Sequence, residues 1–269
     1  MQQYKYIFDA MMGVKDLPNT REVFLLEKAQ RYIAKLSKIP GVEMIAIVNS
    51  LSMYATHEDS DIDLLIVTRP GLIWLVRFFA TMILWVSGVW RHGEDVAGNF
   101  CLSFFVTTDA LDFSRISIED DIYLYYWIYY LKPVFDRDDT YEKFVRANEW
   151  VDIRVQSAKY KVQSETLDLR DVPSGTQDGG SGDTTDVQIA KYKVQSEASK
   201  ISPFSLLLSP FSSSLNSLIR LLWLPKTLRK YRKLGSPEGV IISDDMLKFH
   251  DRDRRRGIRD TILEKYFDK

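Results

Sequence analysis

The chain has 269 residues, enough for one well-buried core and a smaller second one. Apolar residues at 45% and charged residues at 27% are the proportions of a soluble globular protein, and a net charge of −1 excludes any overall pull toward nucleic acid or anionic membrane. A single cysteine, Cys101, excludes an internal disulfide framework, and the opening Met-Gln-Gln-Tyr-Lys-Tyr lacks the layout of a secretory signal, so a cytoplasmic setting is expected.

Residues 1–16 carry no clear pattern. A helix is expected from Asn19 or Thr20, either of which can cap it, to about Ser37. Phe24, Ala29, Tyr32, Ile33 and Leu36 fall on one face, and Glu22 and Glu27 lie toward its positive end. Pro40-Gly41 ends it. Met44–Val48 reads as a short, wholly apolar strand, followed by a polar loop through Ser60. Asp61–Thr68 reads as a second strand, closed by Arg69-Pro70-Gly71.

Leu72–Val89, LIWLVRFFATMILWVSGV, approaches the length of a membrane span. Arg77 inside it would cost roughly 2.5–3.5 kcal/mol at a bilayer centre. Because the segment lies between strand-like runs, a buried packing helix is expected and membrane contact is not. Arg91–Asn99 is a polar turn and Cys101–Thr107 a third strand. Glu119–Leu131 reads as a helix carrying Tyr123, Tyr125, Tyr126, Trp127, Tyr129 and Tyr130, where rings on all sides indicate deep packing rather than a ligand stack. A further helix is expected over about Thr140–Val155.

The composition then changes. Ser174–Thr185, SGTQDGGSGDTT, has linker composition and is flanked by two copies of AKYKVQSE, at 158–165 and 190–197. Two copies cannot build a solenoid. Leu206–Leu224 is apolar with serines and is expected to end at Pro225; Val240-Ile241-Ile242 is strand-like. The expected organisation is a domain over 1–155, a linker over 156–200 and a basic, mostly helical segment over 201–269. The expected fold class is α/β (α+β), a small mixed sheet with packed helices.

The chemistry concentrates at Asn49-Ser50, ten residues from Leu51 to Ser60, then Asp61-Ile62-Asp63. On a strand, residues two apart share a face, so Asp61 and Asp63 project together while Ile62 and Leu64 enter the core. Two like charges held so close repel unless a cation neutralises them. Magnesium suits the pair, since it takes one or two carboxylates and completes its shell with water and substrate phosphate. Ser50 and Ser52, in a tight turn before the pair, suit the phosphate tail of a nucleoside triphosphate.

This run, N-S-x(10)-D-I-D-L-L-I-V with Ser60 ahead of the pair, resembles the signature of polymerase-beta-type nucleotidyltransferases: a small-residue turn, a short spacer, then D-x-D or D-x-E on a strand. The likeness covers about residues 20–110 and, loosely, the aromatic helices to 155. It implies a nucleotidyltransferase-type sheet with Asp61 and Asp63 as Mg2+ ligands and catalytic residues. It also implies nucleotide binding by Ser50, with Ser52 and Asn49 of the same turn, and transfer of a nucleoside monophosphate from an NTP to an acceptor hydroxyl. Asn49 stands where the family prefers glycine, and asparagine tolerates the left-handed backbone better than most residues. The third carboxylate that the family places on a neighbouring strand is absent from Cys101–Thr107, where Ser103 or Phe105 is expected on the relevant face. Glu94, Asp95, Asp109 and Asp112 lie near that strand's ends as substitutes. The alternative is a non-catalytic nucleotide- or nucleic-acid-binding module of the same fold.

Other residues carry weaker signals. His57 and His92 read as solvated loop histidines, and His250-Asp251 lacks a nucleophile. Cys101 reads as a small core residue without a basic neighbour to activate it. Basic patches at 226–233 (Lys226, Arg229, Lys230, Arg232, Lys233) and 252–259 (Arg252, Arg254, Arg255, Arg256, Arg259), with Tyr231 and Phe249 nearby, suit an RNA or DNA backbone. A solvated helix face balanced by Asp244, Asp245, Asp251 and Asp253 explains them equally.

Overall fold

Strand runs apolar at successive positions, Met44–Val48 and Leu64–Val67, require cover on both sides. In the computed structural model, which describes residues 1–91, 96–152, 212–250 and 253–267, every residue of β1 (Val42–Val48) and β2 (Ile62–Thr68) is buried. A sheet with one wet face would alternate apolar and polar residues. Here Met44, Ala46, Val48, Leu65 and Val67 join one apolar cluster, and Ile45, Ile47, Leu64 and Ile66 join the other.

Among the described residues the sheet has six strands in the order β4-β1-β2-β3-β6-β5. The further strands are β3 (Phe100–Thr107), β4 (Lys132–Asp136), β5 (Val240–Ile242) and β6 (Met246–Phe249). β2 and β3 are parallel, joined through α4 (Ile73–Val86), and the other neighbours are antiparallel. On one face lie α1 (Lys5–Met12), α5 (Ile122–Tyr129), α6 (Thr140–Ala147) and α8 (Arg255–Phe267). On the other lie α2 (Thr20–Leu36), α4 and α7 (Ser212–Lys233). The fold is mixed α/β, and its C-terminal part is largely helical but also lends two strands to the sheet.

Local chemistry sets the ends of these elements. Asn19 caps α2 in a reciprocal box: its Oδ1 accepts from the Glu22 amide at 2.9 Å, and Glu22 Oε2 accepts from the Asn19 amide at 2.9 Å. Glu22 is fully buried and does more than cap. It accepts from Lys15 Nζ at 2.9 and 3.0 Å and from the Thr56 amide and hydroxyl at 3.1 and 3.0 Å. One carboxylate therefore ties the start of α2 to the loop that leads into β2.

The apolar segment is a packing helix. α4 has 14 residues, and among the described residues no helix is long and apolar enough to cross a membrane. Its first turn is closed from outside, with Asn216 Oδ1 on α7 accepting from the amides of Trp74 and Leu75 at 3.1 and 2.9 Å. Trp74 Nε1 and Arg220 Nε both donate to Asp244, at 3.2 and 2.5 Å. Arg77 lays its guanidinium 3.8 Å from the centre of the Phe249 ring, and burial pulls its pKa down to about 10.

Four local expectations change. The aromatic helix stops at Tyr129, and Lys132–Asp136 forms, among the described residues, an edge strand with a partner on one side only, which tolerates Pro133. The helix begun at Thr140 ends at Ala147, where the side chain of Asn148 takes over the carbonyls of Phe144 and Leu111. Pro225 does not end α7, which continues to Lys233. The carbonyl deprived of a donor belongs to Leu221, which is 69% exposed, so water can replace the missing N–H. Residues 5–12, without a clear pattern in the sequence, form α1 and bury Phe8. The linker, the AKYKVQSE copies, His92, Glu94, Asp95, Asp251 and Arg252 lie outside the described residues.

Glu22→Ala would remove the capping box of α2 and the hydrogen bonds to Thr56 and is expected to cost about 1–3 kcal/mol in urea denaturation. Burial raises the Glu22 pKa, but its hydrogen bonds outweigh that and hold it below the ordinary 4.5. The gap between wild type and variant should therefore be full near neutrality and narrow as pH falls through that lowered value.

Candidate functional site

β1 ends with Val48 directly opposite Asp63 of β2, so the residue after Val48 must turn beside that carboxylate. Asn49 makes the turn at φ 58°, in the left-handed region that asparagine tolerates, and opens the short helix α3 (Asn49–Ser52). Its carboxamide then works in both directions. Nδ2 donates to Asp63 Oδ2 at 2.8 Å, while Oδ1 accepts from Trp127 Nε1 at 2.6 Å and Tyr123 O–H at 3.3 Å. The aromatic helix α5 thus has two rings whose polar atoms reach the site, while Tyr125 and Tyr126 bond elsewhere through their hydroxyls. Ser50 is half-buried in the same turn, and its carbonyl accepts from the Ala55 amide at 2.9 Å. Ser52 is buried, and its hydroxyl donates to the Asn49 carbonyl at 2.8 Å, closing the turn.

Asp61, Asp63 and Cys101 converge, with ligand atoms all within 4.8 Å of one another. Ile62 and Leu64 enter the core beneath, as strand alternation requires. Burial raises the Asp61 pKa, and the neighbouring Asp63 raises it further against the pull of Arg91. Burial likewise raises Asp63, opposed by its hydrogen bonds with Asn49 and Cys101. Burial and then the charge of Asp63 push the Cys101 thiol up. Arg91 answers this concentration of negative groups: its Nη1 lies 2.6 Å from Asp61 Oδ2 and 3.7 Å from Cys101 Sγ.

The strand register corrects the reading of β3. Asp63 pairs with Cys101, and the register then shifts so that Leu65 faces Phe104. The site position on β3 therefore belongs to Cys101, which has a basic neighbour after all. Ser103 sits beside the thiol, with which it shares a hydrogen bond, and meets His250 Nε2 at 3.0 Å, while Phe105 is buried in the second apolar cluster. Asp109 and Asp112 cannot replace a third carboxylate. Asp109 follows the far end of β3, which at a strand's rise per residue lies roughly 20 Å from Cys101, and Asp112 is engaged in a local turn through the Ser114 amide and hydroxyl.

Beyond Asn49 a cavity of about 400 Å³ opens between α1, α5, β6 and α8. Met11, Phe104 and Leu124 line its apolar part, and Lys248, His250 and Arg254 its polar part. Burial, then the charge of Lys248, pulls His250 down to about 4, so the imidazole is neutral at pH 7. Arg255 at the cavity wall is fully engaged, donating to Asp253 at 2.7–3.0 Å and to Asp121 at 2.9 Å.

That engagement changes the second basic patch. Arg255 is consumed internally, Arg256 approaches Glu238 at 3.3 Å, and Arg259 bonds Asp260 and the Glu119 carbonyl. The patch on α7 differs: Lys226, Arg229, Lys230, Arg232 and Lys233 are all exposed. His57 is also exposed, and its backbone amide is bound by Ser60 Oγ at 2.8 Å.

No family model matches the chain, and no curated protein matches it. Among solved structures, one described as a toxin-antitoxin with AMP-PNP is similar over 49% of this chain and 93% of its own, with 16% identity and a TM-score of 0.29. A score that low says nothing further about this chain.

Asp63→Asn keeps the size of the side chain, and a flipped amide can still accept from Asn49. Removing a carboxylate whose ionisation is disfavoured should raise the melting temperature of metal-free protein by a few degrees near pH 7. Because the folded pKa is raised, the wild type loses stability as pH rises above the ordinary 3.8. The advantage of the variant should accordingly vanish near pH 3, as thermal melts across pH would read.

Proposed function

We propose that the chain is a divalent-cation-dependent nucleotidyltransferase, moving a nucleoside monophosphate from a triphosphate to an acceptor hydroxyl with release of pyrophosphate. The observation that carries this reading is the convergence of the Asp61 and Asp63 carboxylates at the start of β2, beside the Asn49 turn and an open cavity. The donor set fits a divalent cation, since burial and mutual repulsion disfavour two bare carboxylates and a cation relieves both. Magnesium, the ion that two carboxylates suit, neutralises charge on a phosphoryl group and orients the attacking oxygen when bound.

The protein's own part is positioning. Asp61 and Asp63 hold the cation, and Asn49 fixes Asp63 through its 2.8 Å hydrogen bond. Ser50 and the turn around it take the phosphate tail, on the resemblance in the sequence. The cavity receives the nucleoside, with Trp127 and Tyr123 in its wall and Lys248 and Arg254 at its basic end. A second reading, a nucleotide-binding module without turnover, is favoured by one observation: Cys101, and no third carboxylate, stands opposite Asp63.

The test is incubation of each labelled nucleoside triphosphate with Mg2+, Co2+ or Zn2+ and wild type or Asp61→Ala/Asp63→Ala protein, with RNA, protein and small-molecule hydroxyl acceptors supplied. Pyrophosphate release that falls at least about 100-fold in the double variant supports the transferase. Nucleotide binding without turnover selects the second reading. Absence of nucleotide binding to wild type overturns both.

A further inference from the structure

Resting on that metal-dependent reading, we propose that Cys101 is a third ligand to the cation of Asp61 and Asp63, and that the site selects a thiophilic divalent ion of the zinc type over magnesium. Three observations support this. Ligand atoms bound about 2.0–2.3 Å from one ion lie at most ~4.6 Å apart, and the thiol and carboxylates already fall within 4.8 Å of each other. Cys101 is held in place by strand pairing opposite Asp63, so the thiol belongs to the rigid frame of the site. Asp61, the partly exposed member of the three, also gives an ion a way in to the cluster.

Charge balance points the same way. Two carboxylates and one thiolate carry three negative charges, which a divalent ion and the guanidinium of Arg91 together cancel. Arg91 is already in place for this, 2.6 Å from Asp61 and 3.7 Å from the sulfur. With magnesium on the carboxylates alone and a neutral thiol, the guanidinium would be left over. Magnesium is a hard ion that prefers oxygen and retains water, whereas thiolate is a soft donor suited to zinc and cobalt. On binding, the sulfur–metal bond forms as the S–H bond breaks, and the proton leaves to solvent.

The test uses the full chain, kept reduced and titrated with Co2+. A sulfur-to-cobalt charge-transfer band in the near ultraviolet is expected to saturate at one equivalent, with release of a proton in weak buffer. Zn2+ should bleach the band and a large excess of Mg2+ should not. Cys101 is the only cysteine in the chain, so no other thiolate can produce the signal. Cys101→Ser should abolish the band and weaken Co2+ and Zn2+ binding at least about tenfold, with an unchanged circular dichroism spectrum. Cys101→Asp should abolish it too while strengthening Mg2+ binding. A folded wild type without the band, or a band that persists in Cys101→Ser, overturns the inference. If the band is absent while nucleotide binds with Mg2+ and requires the aspartates, only this inference fails and the proposed function stands. If the band is present but no nucleotide binds with any of these ions, the thiolate site stands and the proposed function falls.

Discussion

The carboxylate of Asp63 is enclosed at the start of β2, with a second carboxylate and a thiol whose ligand atoms lie within 4.8 Å of it. Ionised groups so placed repel each other and are poorly solvated, and a fold tolerates that only if the surroundings hold them. Asn49 does much of the holding, and it can do so because its backbone adopts the left-handed turn at the end of β1. Trp127 and Tyr123 hold Asn49 in turn. The aromatic helix, the turn and the carboxylate therefore form one connected arrangement.

The sheet makes the arrangement rigid. Helices on both faces bury β1 and β2 completely, so the strand ends cannot shift without disturbing two apolar clusters. Parallel pairing of β2 with β3 sets Cys101 opposite Asp63, and the register shift just beyond it separates the site from the packed core above. The polar end of the neighbouring cavity is built by the C-terminal part of the chain, through Lys248 and His250 at the end of β6 and Arg254 at the start of α8. Arg255 holds that part down: its bonds to Asp121, the cap of α5, and to Asp253 join the chain's last helix to the aromatic helix. A residue that looks in sequence like part of a nucleic-acid-binding cluster is thus an internal tie.

Much of the architecture was legible because it depends on local chemistry. Asn19 and Thr20 mark the start of α2, and the apolar runs at 44–48 and 64–67 demand a sheet covered on both faces. Alternation along β2 places Asp61 and Asp63 together without reference to anything distant. Elements that depend on distant partners were not legible. β4 and β6 are short, polar at one or more positions, and exist as strands because β1 and β3 offer free edges. α7 passes Pro225 because Leu221 is exposed, which no window of sequence reports.

By itself, then, the sequence determined β1, β2, β3 and α2, the paired carboxylates and a turn residue able to adopt an unusual backbone, since each follows from steric and hydrogen-bonding preferences within a few residues. Only the tertiary structure decided which side chains share the site. Cys101 is 38 residues from Asp63, Trp127 is 78 from Asn49 and Arg91 is 30 from Asp61. Their meeting is set by strand register and helix packing, which arise from the burial of the whole chain and from no short stretch of it.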